Sequence, residues 1–312
     1  MSATDEFLDL LRNYRGLRGH VLARRGRVAR KWMFGLVRKL LRQRTLALWP
    51  DSRGAYIPVD DGLYFYIPRQ LDLHGYTVLA RGLGENYLGP LLTRYCPPGA
   101  VAFDIGANIG EMSLCFAQAV GPAGRVVAFE PIPFMADAIA RTATINGLAQ
   151  MQVVHAALSD APAQLHIEAR WRSDAIVDSG GSRISDTPTP GSVPVAALRL
   201  DDWCAAHLAP DVRLGLVKID VEGHELAVLA GARATLARYR PVLALEVGHE
   251  GKERRCAIAD LLGGLGYAPT AAVFRHALLP LEWRDVIELS GPLAPGGSYD
   301  IILHPADPAP LG

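Results

Sequence analysis

Cysteines are scarce in this sequence, and their spacing is not that of a metal or disulfide motif. Four occur among 312 residues, and none belongs to a C-x-x-C pair. The N-terminal region also lacks the continuous apolar stretch and small-residue cleavage site of a secretory signal, and its most apolar part is too short and too charged to span a bilayer. The sequence therefore predicts buried thiols in a reducing cytoplasm rather than disulfides or zinc ligands.

A phosphate-binding glycine pattern of the form G-x-G-x-x-G is absent where a nucleotide site is otherwise indicated. The apolar residues 101–103 run into D-I-G-A-N-I-G at 104–110, and V-V-A-F-E follows at 126–130. This order is typical of a strand, a glycine turn, a helix and a second strand that ends in an acid. A pyrophosphate needs bare backbone amides at the helix start, but Asn108 occupies the central position of this turn.

The acids at these two strand ends indicate which nucleotide binds. Asp104 would repel a phosphate, whereas its charge suits the ammonium group and the sulfonium of S-adenosylmethionine. Glu130 is placed to accept hydrogen bonds from both hydroxyls of a ribose. The sequence thus predicts this methyl donor rather than NAD, and a glycine turn without a ligand is the competing interpretation. The expected donor-binding residues in these motifs are Asp104, Gly106, Ala107, Asn108, Gly110 and Glu130.

Another strand with polar residues at its end lies near residue 215. The segment L-G-L-V-K-I-D-V-E-G-H-E at 214–225 predicts a buried strand, and apolar residues at helical spacing over 226–236 predict one amphipathic helix after it. Lys218, Asp220 and Glu222 alternate along this strand and its exit. In an open parallel sheet, ligands lie beyond the carboxyl ends of the strands, so we expect the acids of all three motifs to face one crevice.

Several motifs together resemble one known family. They are DIGANIG at 104–110, AFEP at 128–131, LDDW at 200–203, KIDVEGHE at 218–225 and LEVG at 245–248. Their order and spacing are similar to those of the FkbM family of S-adenosylmethionine-dependent methyltransferases, and the likeness covers about residues 81–305. The resemblance implies an α/β class I methyltransferase fold, which is a Rossmann-like, mostly parallel sheet with helices on both faces. It also implies methyl transfer to hydroxyl oxygens of sugars, polyketides and related metabolites.

The resemblance also bears on the third strand of the domain, predicted over 152–160. It implies that Ser159 or Asp160 lies near the adenine of the donor, while the residues alone fit an ordinary turn equally well. The sequence departs from the family in its basic leader and in residues 170–194, so the resemblance does not identify the methyl acceptor. Because residues 170–194 are rich in Ser, Gly, Asp and Pro, they predict a long loop that orders over the acceptor, with a plain surface loop as the rival interpretation.

Transfer of a methyl group to an alcohol needs an aligned oxygen and a base for its proton. Asp220 is the first choice, followed by Glu222, because both leave the central strand beside the expected methyl position. Asp220 could instead hold the methionine part of the donor, which would leave His249 as the base. His224 is a further candidate, or simply an exposed residue of the first helical turn. Lys218 is expected to pair with a neighbouring acid, because an unpaired buried ammonium is costly.

The same edge would also suit a divalent metal. A strand predicted over 241–249 adds Glu246 and His249 to Asp220 and Glu222, and oxygen ligands of this kind bind hard cations. These residues form no compact ligand motif, however. The sequence therefore predicts that no metal is required.

The net charge of zero hides a marked asymmetry along the chain. Residues 11–50 contain twelve Lys or Arg and no acid, whereas residues 51–312 contain twenty bases and twenty-nine acids. As a helix, the basic segment would place Phe34, Val37, Leu40 and Leu41 on one stripe with the cations elsewhere. This predicts a basic helical extension over residues 1–50 that packs on the domain, or meets a membrane surface on the cytoplasmic side, or binds nucleic acid.

Further segments follow from turn and helix signals. Residues 51–80 predict a short β-rich lid or extension that contains a hairpin, and residues 81–312 predict the methyltransferase domain. Helices are predicted over 85–95, 111–119 and 134–146, the last with Gly147 as its C-terminal cap.

These features lead to three functional hypotheses. The first is an O-methyltransferase that acts on a hydroxyl of a saccharide, glycolipid or secondary metabolite, with a small-molecule or glycan acceptor as partner. The second is a nucleic-acid methyltransferase, suggested by the basic segment, which nevertheless carries few aromatics on which bases could stack. The third is a non-catalytic, donor-binding scaffold. The intact acids at the strand ends favour an enzyme.

Overall fold

A computed structural model describes most of the chain from residue 88 onwards and two short stretches before it. The described residues are 54–59, 63–68, 88–173, 176–185, 187–190, 192–248, 250–274, 277–294 and 299–306. The predicted basic helix within residues 1–50, more than half of the predicted segment 51–80, and His249 lie outside these residues.

The described residues form fourteen strands and eight α-helices. The strands are β1 (Gly54–Pro58), β2 (Tyr64–Pro68), β3 (Val101–Ile105), β4 (Arg125–Phe129), β5 (Met151–Val154), β6 (Ala157–Leu158), β7 (Ala163–Ser173), β8 (Ile176–Ser185), β9 (Val193–Leu198), β10 (Leu214–Ile219), β11 (Val242–Val247), β12 (Tyr267–Phe274), β13 (Ala277–Pro280) and β14 (Tyr299–Pro305). The helices are α1 (Leu88–Leu92), α2 (Glu111–Val120), α3 (Pro133–Ile145), α4 (Leu200–His207), α5 (Glu225–Ala230), α6 (Arg233–Tyr239), α7 (Lys252–Gly264) and α8 (Trp283–Glu288).

Eight strands form the main sheet, in the order β13-β12-β14-β11-β10-β3-β4-β5. The five strands from β11 to β5 in this order are mutually parallel, while β14 runs antiparallel to both of its neighbours. The carboxyl ends of the five parallel strands therefore meet the beginning of β14 at one edge, which we call the carboxyl edge. This order confirms the predicted Rossmann-like, mostly parallel α/β sheet.

The two faces of the central strands carry side chains of different size. Alternate residues of a strand point to opposite faces, so Ala102 faces one side of the sheet and Phe103 the other. The Ala102 face packs on α1, α2 and α3, and the Phe103 face packs on helices from α4 to α8. Asp104 lies beside Lys218 in the register of β3 and β10. Both therefore belong to the Ala102 face, at its carboxyl end.

The LDDW motif fastens helix α4 to the sheet and to α6. The ring of Trp203 packs edge-on against Phe103 and Phe129, with centroids 5.7 and 5.2 Å away. The Asp201 carboxylate accepts hydrogen bonds from the backbone N–H of Thr235 and from its hydroxyl, both at 2.8 Å. This satisfies a donor that the start of α6 would otherwise leave open. In this chain the motif is therefore structural.

The prediction of a long loop over residues 170–194 is wrong. Strands β7 and β8 run through most of this region and, with β6 and β9, form a four-stranded sheet in the order β6-β9-β7-β8. Along β7 the buried Leu165 and Ile167 alternate with the half-exposed His166 and Glu168. Strand β7 pairs antiparallel with β9, and strands paired in this way need only one apolar face, so a polar, glycine-containing segment is compatible with strands. That this region binds the acceptor stays a prediction.

The single helix predicted over residues 226–236 is two helices, α5 and α6. They are separated at Gly231, where a Cβ would collide with the carbonyl oxygen of Ser159. The apolar spacing continues across the break, since Val228, Leu229 and Leu236 are buried in one cluster. The hydrophobic pattern therefore predicts a continuous helix, and only the approach of another chain segment reveals the break.

The other predicted elements differ by a few residues at their ends. The helix predicted over 85–95 is α1 followed by a 3-10 turn at Thr93–Tyr95, and the helices predicted over 111–119 and 134–146 are α2 and α3. The strand predicted over 152–160 is the pair β5 and β6. Among the described residues, no helix combines the length and apolarity needed to cross a membrane.

Strands β1 and β2 form the antiparallel hairpin predicted within residues 51–80. They belong to a compact unit separate from that of the main sheet. Within the hairpin, the rings of Tyr56 and Tyr66 lie 5.0 Å apart. A role of this hairpin as a lid stays a prediction.

Gly231→Ala is expected to lower the free energy of unfolding by about 1–3 kcal/mol, because the added methyl group overpacks the contact with Ser159. Gly263→Ala is the matched control. Gly263 lies in α7, and no atom lies within 4 Å of the point that its Cβ would occupy, so this change should be neutral or stabilising by up to about 1 kcal/mol. Urea unfolding of the three proteins measures both effects. Equal stabilities of the two variants would contradict the close approach of α5 to Ser159.

Candidate active site

The turn after β3 is tight and holds its glycines in conformations that other residues avoid. Gly106, Asn108 and Gly110 have φ angles of +78°, +53° and +91°, in the left-handed region that favours glycine and tolerates asparagine. A Cβ on Gly106 would also collide with the backbone carbonyl of Asp220. The turn therefore lies directly against the end of β10, and the predicted glycine positions are required by the backbone.

Glu130 closes this turn from the end of β4. Its Oε2 accepts a hydrogen bond from the backbone N–H of Asn108, and its Oε1 accepts one from Ile132, both at 2.8 Å. The side chain is only 4% exposed. Burial raises the pKa of Glu130 to about 8, although the two hydrogen bonds act in the opposite direction. The carboxyl group is thus fixed in orientation, with further acceptor capacity on each oxygen.

Asp104 is a deeply buried acid at the carboxyl edge. Its Oδ2 accepts a hydrogen bond from the Ser113 hydroxyl at 2.5 Å, whereas its Oδ1 is buried and has no hydrogen-bond partner among the described residues. Burial raises the pKa of Asp104, and the Lys218 ammonium and the Ser113 hydroxyl oppose that shift. A buried carboxylate oxygen without a donor is costly, so this position is suited to a cationic or hydrogen-bonding ligand.

Lys218 forms an ion pair with Asp220, which agrees with the prediction that it pairs with a neighbouring acid. The Lys218 Nζ lies 2.8 Å from Asp220 Oδ2, and the two side chains are 4% and 26% exposed. The Asp220 N–H donates to the carbonyl of Ile105 at 3.0 Å, which holds the end of β10 beside the turn after β3. Asp220 is therefore both fixed by a buried cation and accessible to solvent.

The segment that follows Asp220 is held in an unusual backbone conformation. We call residues 220–223 the acid loop. Glu222 and Gly223 have φ angles of +54° and +97°, and the carboxylate of Glu225 accepts a hydrogen bond from the N–H of Gly223 at 2.9 Å. Arg254 donates to the carbonyl of Gly223 at 3.0 Å. These contacts keep the strained loop in one shape.

The carboxyl edge contains one further acid that sequence reasoning missed. Asp300 is the second residue of β14 and lies beside Glu246 in the register of β11 and β14. Burial raises the pKa of Asp300 to about 6, Lys218 opposes the shift and Asp220 adds to it. An acid just before the apolar run I-I-L was a sequence signal. Its place at this edge depends on the antiparallel direction of β14, which the sequence does not reveal.

Three carboxylates lie close enough together to share a cation. Oxygens of Asp220, Glu222 and Glu246 lie within 4.8 Å of one another. The structure thus brings together three of the four residues that the sequence suggested as metal ligands, and His249 lies outside the described residues. The prediction that no metal is required stays a prediction.

Ser159 and Asp160 lie in the segment after β6, and Ser159 contacts His224, the residue directly before α5. The Ser159 hydroxyl oxygen is 3.0 Å from Nε2 of His224, and it lies 3.1 Å from Oδ1 of Asp160, to which the hydroxyl can donate. Ser159 is 5% exposed. The sequence predicted no link between His224 and Ser159, because their separation of 65 residues leaves no local signal.

Comparison with known proteins identifies a family. The model of the methyltransferase FkbM domain matches residues 104–281. The chain is similar to the 2-O-methyltransferase NoeI of Sinorhizobium fredii, with 29% identity over 180 residues, which cover 53% of this chain and 72% of that protein. It is also similar to the 31-O-demethyl-FK506 methyltransferase FkbM of Streptomyces tacrolimicus, with 32% identity over 200 residues, 56% of this chain and 75% of that protein. These matches confirm the predicted family, the predicted class of enzyme and S-adenosylmethionine as methyl donor.

Solved structures with similar folds include other methyltransferases. The methyltransferase FkbM from Methylobacillus flagellatus has 18% identity and a TM-score of 0.37, over 62% of this chain and 50% of that chain. A SAM-dependent methyltransferase from Aquifex aeolicus has 13% identity and a TM-score of 0.38, over 69% of this chain and 88% of that chain. This chain thus spans half of the length of the first of the two.

Glu130→Gln is expected to change how stability depends on pH. The pKa of Glu130 is about 8 in the folded chain against an ordinary value of 4.5, so between these values the folded state holds a proton that the unfolded state has released. The stabilising contribution is complete below the ordinary value and is lost as pH rises towards 8. The free energy of unfolding of the wild type should therefore fall relative to Glu130→Gln, by up to about 1.4 kcal/mol per pH unit.

Urea unfolding between about pH 5 and about pH 8 measures this difference. Glu288→Gln is the control, because Glu288 is exposed and its pKa is lowered by the hydrogen bond from Lys252. Its carboxyl is ionised in both states over this range, so that variant should run parallel to the wild type. A Glu130→Gln curve parallel to the wild type would contradict the raised pKa.

Proposed function

Because the chain belongs to the FkbM family of methyltransferases, we propose that it transfers the methyl group of S-adenosylmethionine to a hydroxyl oxygen of a saccharide, glycolipid or secondary metabolite. The names of two relatives support transfer to oxygen, one a 2-O-methyltransferase and the other a 31-O-demethyl-FK506 methyltransferase. The observation in this chain that carries the proposal is the accessible Asp220, held by Lys218 beside the turn after β3.

Donor binding is assigned to the turn after β3 and to the acids around it. Buried oxygens of Asp104 and Asn108 have no hydrogen-bond partner among the described residues, and an ammonium group and ribose hydroxyls are donors that would satisfy such oxygens. Glu130 is held ready by two backbone N–H groups. The rest of this part of the site is backbone that the donor can approach closely, at Gly106, Ala107 and Gly110. The adenine of the donor is assigned to Ser159 and Asp160.

The donor, when bound, supplies an electrophilic methyl group on a sulfonium. The chain has to align the acceptor oxygen, exclude water and take the hydroxyl proton. We assign the proton to Asp220, whose carboxylate is oriented by Lys218 at 2.8 Å and still reaches solvent. Glu222 is the second candidate base, because its carboxylate lies within 4.8 Å of that of Asp220. His249, the alternative base if Asp220 holds the donor instead, lies outside the described residues.

The basic segment supports a peripheral contact with an anionic membrane surface on the cytoplasmic side. Residues 11–50 carry twelve cations and no acid, and each cation near such a surface contributes about 1 kcal/mol. A membrane contact of this kind would suit a lipid-linked acceptor. Sedimentation of the full chain with anionic vesicles tests it, and a protein that stays in the supernatant at low salt would contradict it.

Asp220→Asn is expected to lower kcat by about 10²- to 10⁴-fold with little change in affinity for S-adenosylhomocysteine, because the amide cannot accept the proton. The assay follows radiolabelled methyl transfer from S-adenosylmethionine to a panel of oligosaccharides and macrocyclic alcohols with free hydroxyl groups. Asp137→Asn is the control, since Asp137 is an exposed acid that pairs with Arg141 on α3.

The outcomes distinguish the two assignments for Asp220. Turnover by Asp220→Asn at the wild-type rate would contradict its function as a base. Loss of S-adenosylhomocysteine binding in the same variant would instead show that Asp220 holds the donor.

A further inference from the structure

Helix α5 stands between two parts of the proposed site that are distant in the sequence. At its start, Nε2 of His224 lies 3.0 Å from the Ser159 hydroxyl oxygen. At its end, Gly231 lies so close to the Ser159 carbonyl that no Cβ fits. Both ends of this short helix therefore contact Ser159, one through the side chain of His224 and the other through the backbone at Gly231.

Ser159 is fixed by further contacts of its own. Its backbone N–H donates to the carbonyl of Leu198 at 2.9 Å, and its hydroxyl can donate to Asp160 at 3.1 Å. Because Ser159 is 5% exposed, loss of its contact with His224 would leave a buried hydroxyl with fewer partners. The position of Asp160 follows that of Ser159.

His224 also directly follows the acid loop, as the N-cap residue of α5. Gly223, directly before it, is held by Glu225 at 2.9 Å and by Arg254 at 3.0 Å. A displacement of the His224 backbone would therefore also move Gly223 and Glu222. The positive φ of Glu222 is maintained by the contacts around the acid loop. The imidazole contact with Ser159 is thus made from the same short segment that presents the acids.

We propose that His224 is a positioning residue that couples the adenine side of the donor site to the acid loop through its hydrogen bond with Ser159. When the donor binds and orders Ser159 and Asp160, this coupling also orders Asp220 and Glu222. The base is therefore in position at the same time as the methyl group of the donor. The inference rests on the proposed function, because it takes the segment of Ser159 to contact the donor. It gives His224 a function other than that of a base.

A double-mutant cycle tests this coupling without knowledge of the acceptor. His224→Ala, Ser159→Ala and the double variant are titrated calorimetrically with S-adenosylhomocysteine. Each single change is expected to raise the Kd about 3- to 10-fold, the range of one hydrogen bond, and the double variant should bind no more weakly than the weaker single variant. Thermal unfolding of each variant accompanies the titration.

Two further variants separate coupling from a general loss of packing. His224→Gln can place an amide nitrogen near the position of Nε2, so it should recover most of the affinity. His207→Gln is the control, since His207 lies at the end of α4 with its Nδ1 2.8 Å from the Trp203 carbonyl and its ring stacked on Trp203. It should lower the melting temperature without changing the Kd.

The possible results are distinct. Additive losses in the double variant, wild-type affinity in His224→Ala, or no recovery in His224→Gln would each overturn the coupling. Wild-type protein that is folded but does not bind S-adenosylhomocysteine would instead overturn the proposed function.

Discussion

One buried ammonium group allows several carboxylates to stand at the carboxyl edge of the sheet. Lys218 is 3% exposed and lies 2.8 Å from Asp220, and its charge also opposes the rise in the pKa of Asp104 and of Asp300. Without it, Asp104, Asp220 and Asp300 would share a poorly solvated edge without the counter-charge that Lys218 supplies. Removing one partner of a buried ion pair typically costs about 3–5 kcal/mol, so the site and the stability of the sheet depend on the same side chain.

The backbone around this pair is shaped to keep the acids in place. The turn after β3 lies against Asp220 so closely that Gly106 tolerates no Cβ. In the acid loop Glu222 has a positive φ, and the next residue, Gly223, is held by donating its N–H to the Glu225 carboxylate and by accepting a hydrogen bond from Arg254. Such fixed groups need little reorganisation when charge develops near them. Asn108 and Glu222, two of the four described non-glycine residues with positive φ, lie at the edge where the proposed chemistry takes place. The other two, Arg240 and Leu289, end helices α6 and α8.

Residues at strand ends could be predicted from the sequence, because two simple rules apply to them. A buried parallel strand is recognisable as an apolar run, and the polar residue that ends it must lie at the carboxyl edge. Asp104, Glu130 and Asp220 follow directly, as does the ion pair of Lys218. The family resemblance, carried by five spaced motifs, supplied the class of enzyme and the methyl donor.

Features that depend on distant contacts could not be predicted in this way. Asp300 reaches the carboxyl edge only because β14 runs antiparallel, and neither composition nor spacing gives a strand its direction. The break at Gly231 and the contact of His224 with Ser159 depend on segments more than sixty residues apart. Strands β7 and β8 were missed because a polar, glycine-containing composition was interpreted as a loop, whereas one solvated face is enough to account for it.

The central claim is that the turn after β3 and Glu130 form a site for S-adenosylmethionine, and calorimetric titration with S-adenosylhomocysteine, with NAD in parallel, tests it most directly. The account predicts saturable binding of S-adenosylhomocysteine to the wild type, loss of that binding in Glu130→Ala with the fold intact, and no binding of NAD. Saturable NAD binding by a folded wild type that ignores S-adenosylhomocysteine would contradict it.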